Sequence, residues 1–165
     1  MKKIAFAVAY ISSIIAANVA TETFGLVSII GITVTAGTFL AGAVLVLRDG
    51  LQEVTDKKFV LVSIVVGAVI SAATSNPSLA LASCLAFFAS ELVDFFIYTP
   101  LRKRSLPLAV IGSSVASAPI DTILFLQLAG FGVTTEAVIG QFIVKTIIAA
   151  IAAAGLSWRS ISREA

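Results

Sequence analysis

Two carboxylates, Glu91 and Asp94, lie three residues apart in the strongly apolar stretch FFASELVDFFIYTP at residues 87–100. At that spacing they share one face of a helix. Asp121 and Lys145 lie within two other apolar stretches. Ionisable side chains at the centre of a bilayer cost about 2.5–3.5 kcal/mol each on insertion scales, so their presence there indicates a functional site.

Three of the predicted helices carry a polar stripe around these residues. Asp121 shares a helix face with Ser117 and Ser114, and Gln141 lies four residues before Lys145. Polar stripes in lipid satisfy one another only when they face the interior of a helix bundle. The three stripes are therefore predicted to converge.

Acids outnumber bases among these residues. Lys145 is expected to lie within reach of Asp121 or Glu91, which leaves at least one carboxylate protonated, hydrated or reserved for a ligand. An ion-pair network that only holds the helices in register is the alternative, but the excess of acid favours a solute-binding site. No cofactor or metal is expected, because the chain has no histidine and a single cysteine, Cys84.

Three further side chains are candidates for the same site. Phe87 lies one helical turn before Glu91, where its ring could stack on a planar ligand or face lipid. Asn18 and Thr38 could add hydrogen bonds to a solute, or could bond across helices for structural reasons.

A charged segment, LRDGLQE, follows the second apolar stretch and contains Arg48, Asp49 and Glu53. The spacing predicts local pairing along a helix. The favoured interpretation is a solvated helix end on the cytoplasmic side. The alternative is a gating ion pair at the cytoplasmic mouth of the protein.

The elements that position these side chains are predicted to be membrane helices. Hydrophobic residues make up 59% of the chain and charged residues 12%, against about 45–50% and about 25% in soluble domains. We predict an all-α polytopic membrane protein, a single domain over residues 1–165 with a bundle of six transmembrane helices. Six apolar stretches are each near the length that crosses roughly 30 Å of hydrocarbon; they cover residues 4–20, 31–47, 59–74, 79–98, 106–128 and 138–156.

The basic residues predict the orientation. With a cytoplasmic N-terminus, the three outer connections contain no Lys or Arg, and the inner segments contain Lys2, Lys3, Arg48, Lys57, Lys58, Arg102, Lys103, Arg104, Arg159 and Arg163. This bias predicts that both termini are cytoplasmic. A cleaved signal peptide is the alternative for the first stretch, and the poor cleavage context favours a retained helix. A net charge of +2 without a basic stripe indicates no nucleic-acid partner.

Small residues recur four positions apart in the first and last stretches. Such spacing lets helix backbones approach closely in lipid. Packing within the bundle is the favoured interpretation, and a homo-oligomer or a docked membrane partner is the other. The pairs are Ala5 and Ala9, Ala16 and Ala20, Ala149 and Ala153, and Ala150 and Ala154.

Four segments occur in the order TAGTFLAGAVLVLRDGLQE (35–53), ASELVDFFIYTPLRKR (89–104), SAPIDTILFLQLA (117–129) and QFIVK (141–145). Together they resemble the VUT family of small six-helix membrane proteins, the queuosine-precursor transporters. The resemblance covers most of the chain. It implies a non-enzymatic protein that imports 7-deazaguanine bases, such as 7-cyano-7-deazaguanine or 7-aminomethyl-7-deazaguanine, across the bacterial inner membrane.

The resemblance also implies which residues form the site. Glu91 and Asp94 match the family's acidic or amide position and its aspartate in helix four. Asp121 matches the aspartate of the family's IDT signature in helix five, and Gln141 and Lys145 match its Q-x-x-x-K in helix six.

The base chemistry agrees with these roles. A guanine-like edge offers adjacent N–H donors that one carboxylate can accept, and its O6 could receive a hydrogen bond from Lys145, Gln141 or Asn18. At Ala118 the chain departs from the family, whose members often carry glutamine there.

Two other classes of function compete with a transporter. The first is the substrate-binding membrane component of an energy-coupling-factor transporter, which needs an ATP-driven partner. The second is an intramembrane hydrolase, which is disfavoured because a Ser-His-Asp triad cannot be built without histidine.

Overall fold

A computed structural model describes residues 2–29, 31–74 and 76–164, and of Lys2, Phe95 and residues 155–164 it describes the backbone alone. The basic residues predicted for the inner side at Lys2, Arg159 and Arg163 therefore lie outside the described side chains. The elements are α1 (Lys2–Phe24), β1 (Leu26–Ile29), β2 (Ile32–Thr35), α2 (Thr38–Val54), α3 (Lys57–Thr74), α4 (Pro77–Arg102), α5 (Leu106–Leu128) and α6 (Thr135–Glu164).

The six helices pack side by side in a ring. The main contacts run from α1 to α3, α4, α5, α6 and α2, and α2 closes the ring on α1. Smaller contacts between α1 and α4 and between α2 and α5 cross the interior. One part of the hydrophobic core lies among α1 to α4 around Tyr10 and Phe87, and another joins α4, α5 and α6 around Tyr98.

The surface of the bundle is apolar and much of its interior is polar. Val62, Val65 and Val69 of α3 and Ile147 and Ile151 of α6 are exposed. This inverted distribution is expected when the surrounding solvent is lipid. Five helices are long and apolar enough to cross a membrane: Lys3–Phe24, Lys57–Thr74, Pro77–Arg102, Leu106–Leu128 and Thr135–Ala154. The predicted all-α membrane architecture is confirmed.

The second predicted span, residues 31–47, is wrong in its bounds. Its first residues form β2, which pairs antiparallel with β1. The β-branched run Ile32–Thr35 favours a strand, and Gly31 supplies a positive φ of 78° at the turn. Val34 and Thr35 are buried against the bundle, as non-helical backbone at membrane depth must be. α2 has 17 residues and is not among the five helices of the described residues that are long and apolar enough to cross a membrane, so the sixth crossing stays a prediction.

The two ends of the bundle differ in charge. At one end the Lys3 ammonium lies over the Phe59 ring of α3, 4.3 Å from its centroid, and Arg102 pairs with Glu53. We call this the basic end. At the other end Glu22 of α1 accepts a 2.7 Å hydrogen bond from the Asn76 backbone N–H, and the β1–β2 hairpin lies there, so we call it the hairpin end.

The small-residue stripes divide between inside and outside. Ala149 and Ala153 are buried inside the bundle, whereas Ala5, Ala9 and Ala16 are exposed on α1. Internal packing is thus confirmed for the α6 pair Ala149 and Ala153. An oligomer or a membrane partner on α1 stays a prediction.

Candidate functional site

A cavity lies inside the ring on the hairpin side, where α1, α2, α4, α5 and α6 face one another. Its volume is about 30 Å³, so it is a narrow crevice that is too small for a base without movement of its walls. Most of the predicted substrate-binding residues line it. The polar and aromatic walls are Asn18, Thr21, Thr35, Thr38, Ser83, Phe87, Asp121, Phe125, Gln141 and Lys145. We call this the hairpin-side cavity.

Lys145 and Asp121 form a buried ion pair in the cavity wall. The Lys145 Nζ lies 2.7 Å from Asp121 Oδ2 and donates a second hydrogen bond of 2.8 Å to Thr122 Oγ1. The ammonium side chain is only 2% exposed and the carboxylate side chain 6% exposed. The predicted pairing of Lys145 is confirmed, with Asp121 as its partner. α5 and α6 are neighbours in the ring, so their polar stripes meet.

Asn18 links three helices at the same level. Its Nδ2 donates to Ser71 Oγ of α3 at 2.8 Å, and its Oδ1 accepts a hydrogen bond from Ser83 Oγ of α4. All three side chains are buried. The amide therefore has a structural partner on each side, and its edge also lines the cavity.

Hydroxyl groups from the hairpin and α2 complete the wall. Thr35 Oγ1 and Thr38 Oγ1 lie 2.9 Å apart and form a hydrogen bond. Gln141 Nε2 donates to Thr35 Oγ1 at 3.4 Å. The hairpin thus brings Thr35 next to α6, which positions the Gln141 amide toward the cavity.

Gly37 lets α2 begin directly against α1. A Cβ at this position would lie 2.2 Å from the Ala17 carbonyl oxygen and 2.4 Å from Thr21 Oγ1. Instead, the Gly37 N–H donates to Thr21 Oγ1 at 3.1 Å. Only glycine leaves room for this approach, which sets the position of Thr38 in the cavity wall.

A second polar group lies deeper in the bundle, around Arg48. Its Nη1 is 2.7 Å from Asp49 Oδ1 and 2.6 Å from Asp94 Oδ2, and its Nε and Nη2 contact Glu91 Oε1. The Arg48 side chain is only 3% exposed. We call Arg48, Asp49, Glu91 and Asp94 the Arg48 cluster.

The interpretation of Arg48 and Asp49 as a solvated helix end is wrong. α2 continues as a helix past them to Val54. Arg48 is buried there because Glu91 and Asp94 of α4 neutralise its charge. The comparison of acids with bases in the sequence considered Lys145 as the single internal cation. Arg48 is a second one, and it pairs with Glu91 and Asp94. An excess of acid persists, but it belongs to the Arg48 cluster. Direct contact of Glu91 and Asp94 with a solute stays a prediction.

Glu53 lies at the basic end and is more accessible than the Arg48 cluster. Arg102 donates two hydrogen bonds to its carboxylate, from Nε at 2.9 Å and from Nη2 at 2.8 Å. Tyr98 OH donates a third at 2.8 Å. The Arg102 side chain is 42% exposed. Of the three residues predicted for a cytoplasmic mouth, Glu53 is the one that is partly exposed near an end of the bundle, and its cytoplasmic location and a gating role stay predictions.

One face of α4 contributes residues to the hairpin-side cavity, to the Arg48 cluster and to the contacts of Glu53 at the basic end. Residues on this face recur three or four positions apart and pass from the hairpin-side cavity through the Arg48 cluster to the basic end. Glu91 lies eight positions after Ser83, which corresponds to about 12 Å along the helix. The face consists of Ser83, Phe87, Glu91, Asp94, Tyr98 and Arg102.

Several residues of these sites were not predicted from the sequence. Ser83 lies one turn before Phe87, and Phe125 lies one turn after Asp121, so the helical period would have identified both. Tyr10 and Thr21 lie on the face of α1 that carries Asn18, and both are buried. Serine, threonine and aromatic residues are too frequent in apolar helices for such positions to stand out.

The comparisons with known proteins agree with this architecture. A family model described as "Putative vitamin uptake transporter" matches residues 5–158. No curated protein and no solved structure matches the chain. The family match covers all six helices, including the hairpin-side cavity and the Arg48 cluster. The chain is a multi-pass membrane protein that belongs to the VUT family of vitamin uptake transporters.

Proposed function

We propose that the protein imports a purine-like base, 7-cyano-7-deazaguanine or 7-aminomethyl-7-deazaguanine, across the bacterial inner membrane. The basic end faces the cytoplasm, as do both termini. The observation that carries the proposal is the hairpin-side cavity, in which a carboxylate, an ammonium and an amide from two helices lie beside two aromatic rings. The segments that resemble queuosine-precursor transporters contribute most of these residues.

The polar groups of the cavity match the edge of a guanine-like base. One carboxylate can accept from a ring N–H and the neighbouring amino group, and an ammonium or amide can donate to O6. Asp121 supplies the acceptor, and Lys145 and Gln141 supply the donors. Phe87 and Phe125 offer ring faces on which a base can stack.

The ion pair between Lys145 and Asp121 satisfies both groups in the absence of a base. A base that presents donors and an acceptor side by side replaces this pair with one new partner for each group. The buried charges are then never left unpaired, which would be costly. Because the crevice is narrow, the walls must separate when a planar base enters. Its present volume of about 30 Å³ is well below the usual range of ligand pockets, about 300–1,000 Å³, so binding of a base requires an opened form of the cavity.

The test is uptake of each labelled deazaguanine by cells that cannot synthesise them and carry this protein alone. We expect uptake of at least one base and its appearance in modified tRNA. The double variant Asp121→Asn/Lys145→Met keeps the charge balanced, so it should reach the membrane but lose affinity by about 1.5–3 kcal/mol, as expected for lost charge-assisted hydrogen bonds. Glu136→Gln, at the exposed start of α6, is the matched control and should behave as wild type.

The experiment also separates the competing functions. Uptake that occurs only when an ATPase complex is co-expressed would identify an energy-coupling-factor component. Absence of uptake with either base, in well-expressed protein, would refute the proposed substrate. Normal uptake by the double variant would show that the base binds elsewhere.

A further inference from the structure

The Arg48 cluster holds more negative than positive charge. All ion pairs described for its three carboxylates go to Arg48, at 2.7 Å for Asp49 and 2.6 Å for Asp94, with Glu91 in direct contact. With every carboxylate ionised, one positive and three negative charges leave a net charge of −2. The side chains are between 3% and 14% exposed.

Among the described residues, Lys57 of α3 is the further cation that shares a pocket with these side chains; with it counted, two positive and three negative charges still leave a net charge of −1. α1 presents the buried phenol of Tyr10, and α5 presents Ser117. Asp121 of α5 is paired with Lys145 of α6. On α3, Lys57 is an exposed residue that lines a pocket with Arg48 and Glu91. At the basic end, Glu53 is held by Arg102 and Tyr98.

Two atoms beside the Arg48 cluster lack hydrogen-bond partners among the described residues. Asp94 Oδ2 lies near Arg48 Nη1, but it makes no aligned hydrogen bond, and Ser117 Oγ makes none either. Ser117 is completely buried. Both residues line one small pocket together with Arg48, Asp49, Ser90 and Glu91, and this pocket has no room for a water molecule. A buried hydroxyl without a partner is rare in proteins and calls for an explanation.

A proton on one of the carboxylates would reduce the excess negative charge and needs no space in the pocket. A group that carries excess charge in a low-dielectric interior generally takes up a proton rather than stay charged. Asp94 and Ser117 make no hydrogen bond to each other in this structure, but they line the same small pocket, so a neutral Asp94 could donate its O–H to Ser117 Oγ after a side-chain rotation. The described residues contain no group of three or more carboxylate or thiol side chains that could hold a metal ion. A hydrated ion would not fit, whereas a proton needs no space.

We propose that Asp94, beside Ser117, binds one exchangeable proton and that this proton couples base import to the pH gradient. The Arg48 cluster is well placed for this role. Phe87, one turn from Glu91, borders the hairpin-side cavity, and Asp49 borders a cleft toward the basic end with Glu53. The proton is taken up by the Asp94 carboxylate on one side and released from the carboxylic acid to solvent on the other. The coupling role rests on the proposed function, and the proton site itself does not.

The first measurement needs no substrate. Infrared spectra of the purified full-length protein in lipid, titrated with pH, should show the C=O stretch of a buried carboxylic acid that shifts in D₂O. Asp94→Asn should lose this band, Ser117→Ala should shift it, and Glu136→Gln should retain it. Absence of the band in the wild type, or its persistence in Asp94→Asn, would overturn the proton site.

The second measurement tests coupling. The protein is reconstituted into liposomes, and the outside medium is made more acidic than the interior. Uptake of labelled 7-cyano-7-deazaguanine, which carries no net charge, is then measured. One coupled proton allows about tenfold accumulation per pH unit. In Asp94→Asn the ratio of uptake with and without the gradient should fall to about one, while Glu136→Gln keeps the wild-type ratio.

The two measurements distinguish the possible failures. If the protein shows the infrared band of Asp94 but neither binds nor transports a base, the proton site is supported and the proposed substrate is refuted. Base uptake that ignores the gradient in the wild type, with the Asp94 band present, makes the proton structural and overturns the coupling.

Discussion

At the scale of single residues, charge balance decides which substitutions the interior tolerates. Arg48 holds three carboxylates, so its removal leaves all of them buried without a cation. Breaking a buried pair from one side typically costs about 3–5 kcal/mol. Removing one of the three acids instead reduces the excess of negative charge. The asymmetry between the single base and the several acids is therefore a testable property of the Arg48 cluster.

We expect Arg48→Met to lower the free energy of unfolding by about 3–5 kcal/mol, and Glu91→Gln to change it by less than about 1 kcal/mol. The measurement is unfolding in mixed micelles, followed by helical circular dichroism as a denaturing detergent is added. Arg104→Met is the matched control, because Arg104 is exposed at the basic end and surface changes usually stay within about 0.5 kcal/mol. Equal losses for Arg48→Met and Arg104→Met would contradict the structure.

At the scale of elements, the hairpin and the start of α2 shape the hairpin-side cavity. Gly37 places the first turn of α2 directly against the backbone of α1. β2 places Thr35 beside Gln141. Both positions lie in residues 31–47, which the sequence alone predicts to be a single membrane helix. A change at Gly37 should therefore act on both stability and the shape of the cavity.

Gly37→Ala should lower the free energy of unfolding by about 1–3 kcal/mol, the usual cost of overpacking, and should weaken binding of a base. Gly67→Ala is the matched control. There the new Cβ would meet the flexible Cδ1 of Ile14 at 3.0 Å, and alanine is favoured over glycine in a helix interior. Both variants are measured by detergent unfolding and by base binding. A Gly37→Ala protein as stable as Gly67→Ala would rule out the close approach of α1 and α2.

At the scale of the whole molecule, the two ends of the bundle should face different compartments. The basic end contains Lys3, Lys57 and Arg102, and cytoplasmic segments are enriched in such residues. Ser78 follows the α3–α4 connection at the hairpin end, and Ser105 lies between α4 and α5 at the basic end. Both serines are exposed, so accessibility within the fold does not distinguish them.

In a Cys84→Ala background, a membrane-impermeant thiol reagent added outside intact cells should label Ser78→Cys and leave Ser105→Cys unlabelled. Permeabilised cells provide the control, in which both variants should react. The reverse pattern in intact cells would invert the predicted orientation. Labelling of both variants from outside would contradict the crossing of the membrane by α4, which separates the two positions.

The amino-acid sequence by itself determined the membrane class, the helical architecture and the need of Lys145 for a carboxylate partner, which it left open between Asp121 and Glu91; the structure selects Asp121. These follow from local properties, since apolar runs of sufficient length must form helices in lipid and a buried ammonium requires a nearby carboxylate. Only the tertiary structure decided that Arg48 is buried among Asp49, Glu91 and Asp94. The reason is that α2 and α4 lie far apart in the chain, and nothing local to LRDGLQE reveals which helix will face it.

The hairpin shows the same limit in another form. Residues 26–35 are apolar enough to continue a helix, and their strand pairing is accompanied by packing of β2 against α6, which lies far away in the chain. Periodicity correctly identified the polar faces of α4, α5 and α6. It could not show that these faces separate into the hairpin-side cavity and the Arg48 cluster, because depth along a helix becomes meaningful only when neighbouring helices fix the level at which each side chain meets its partner.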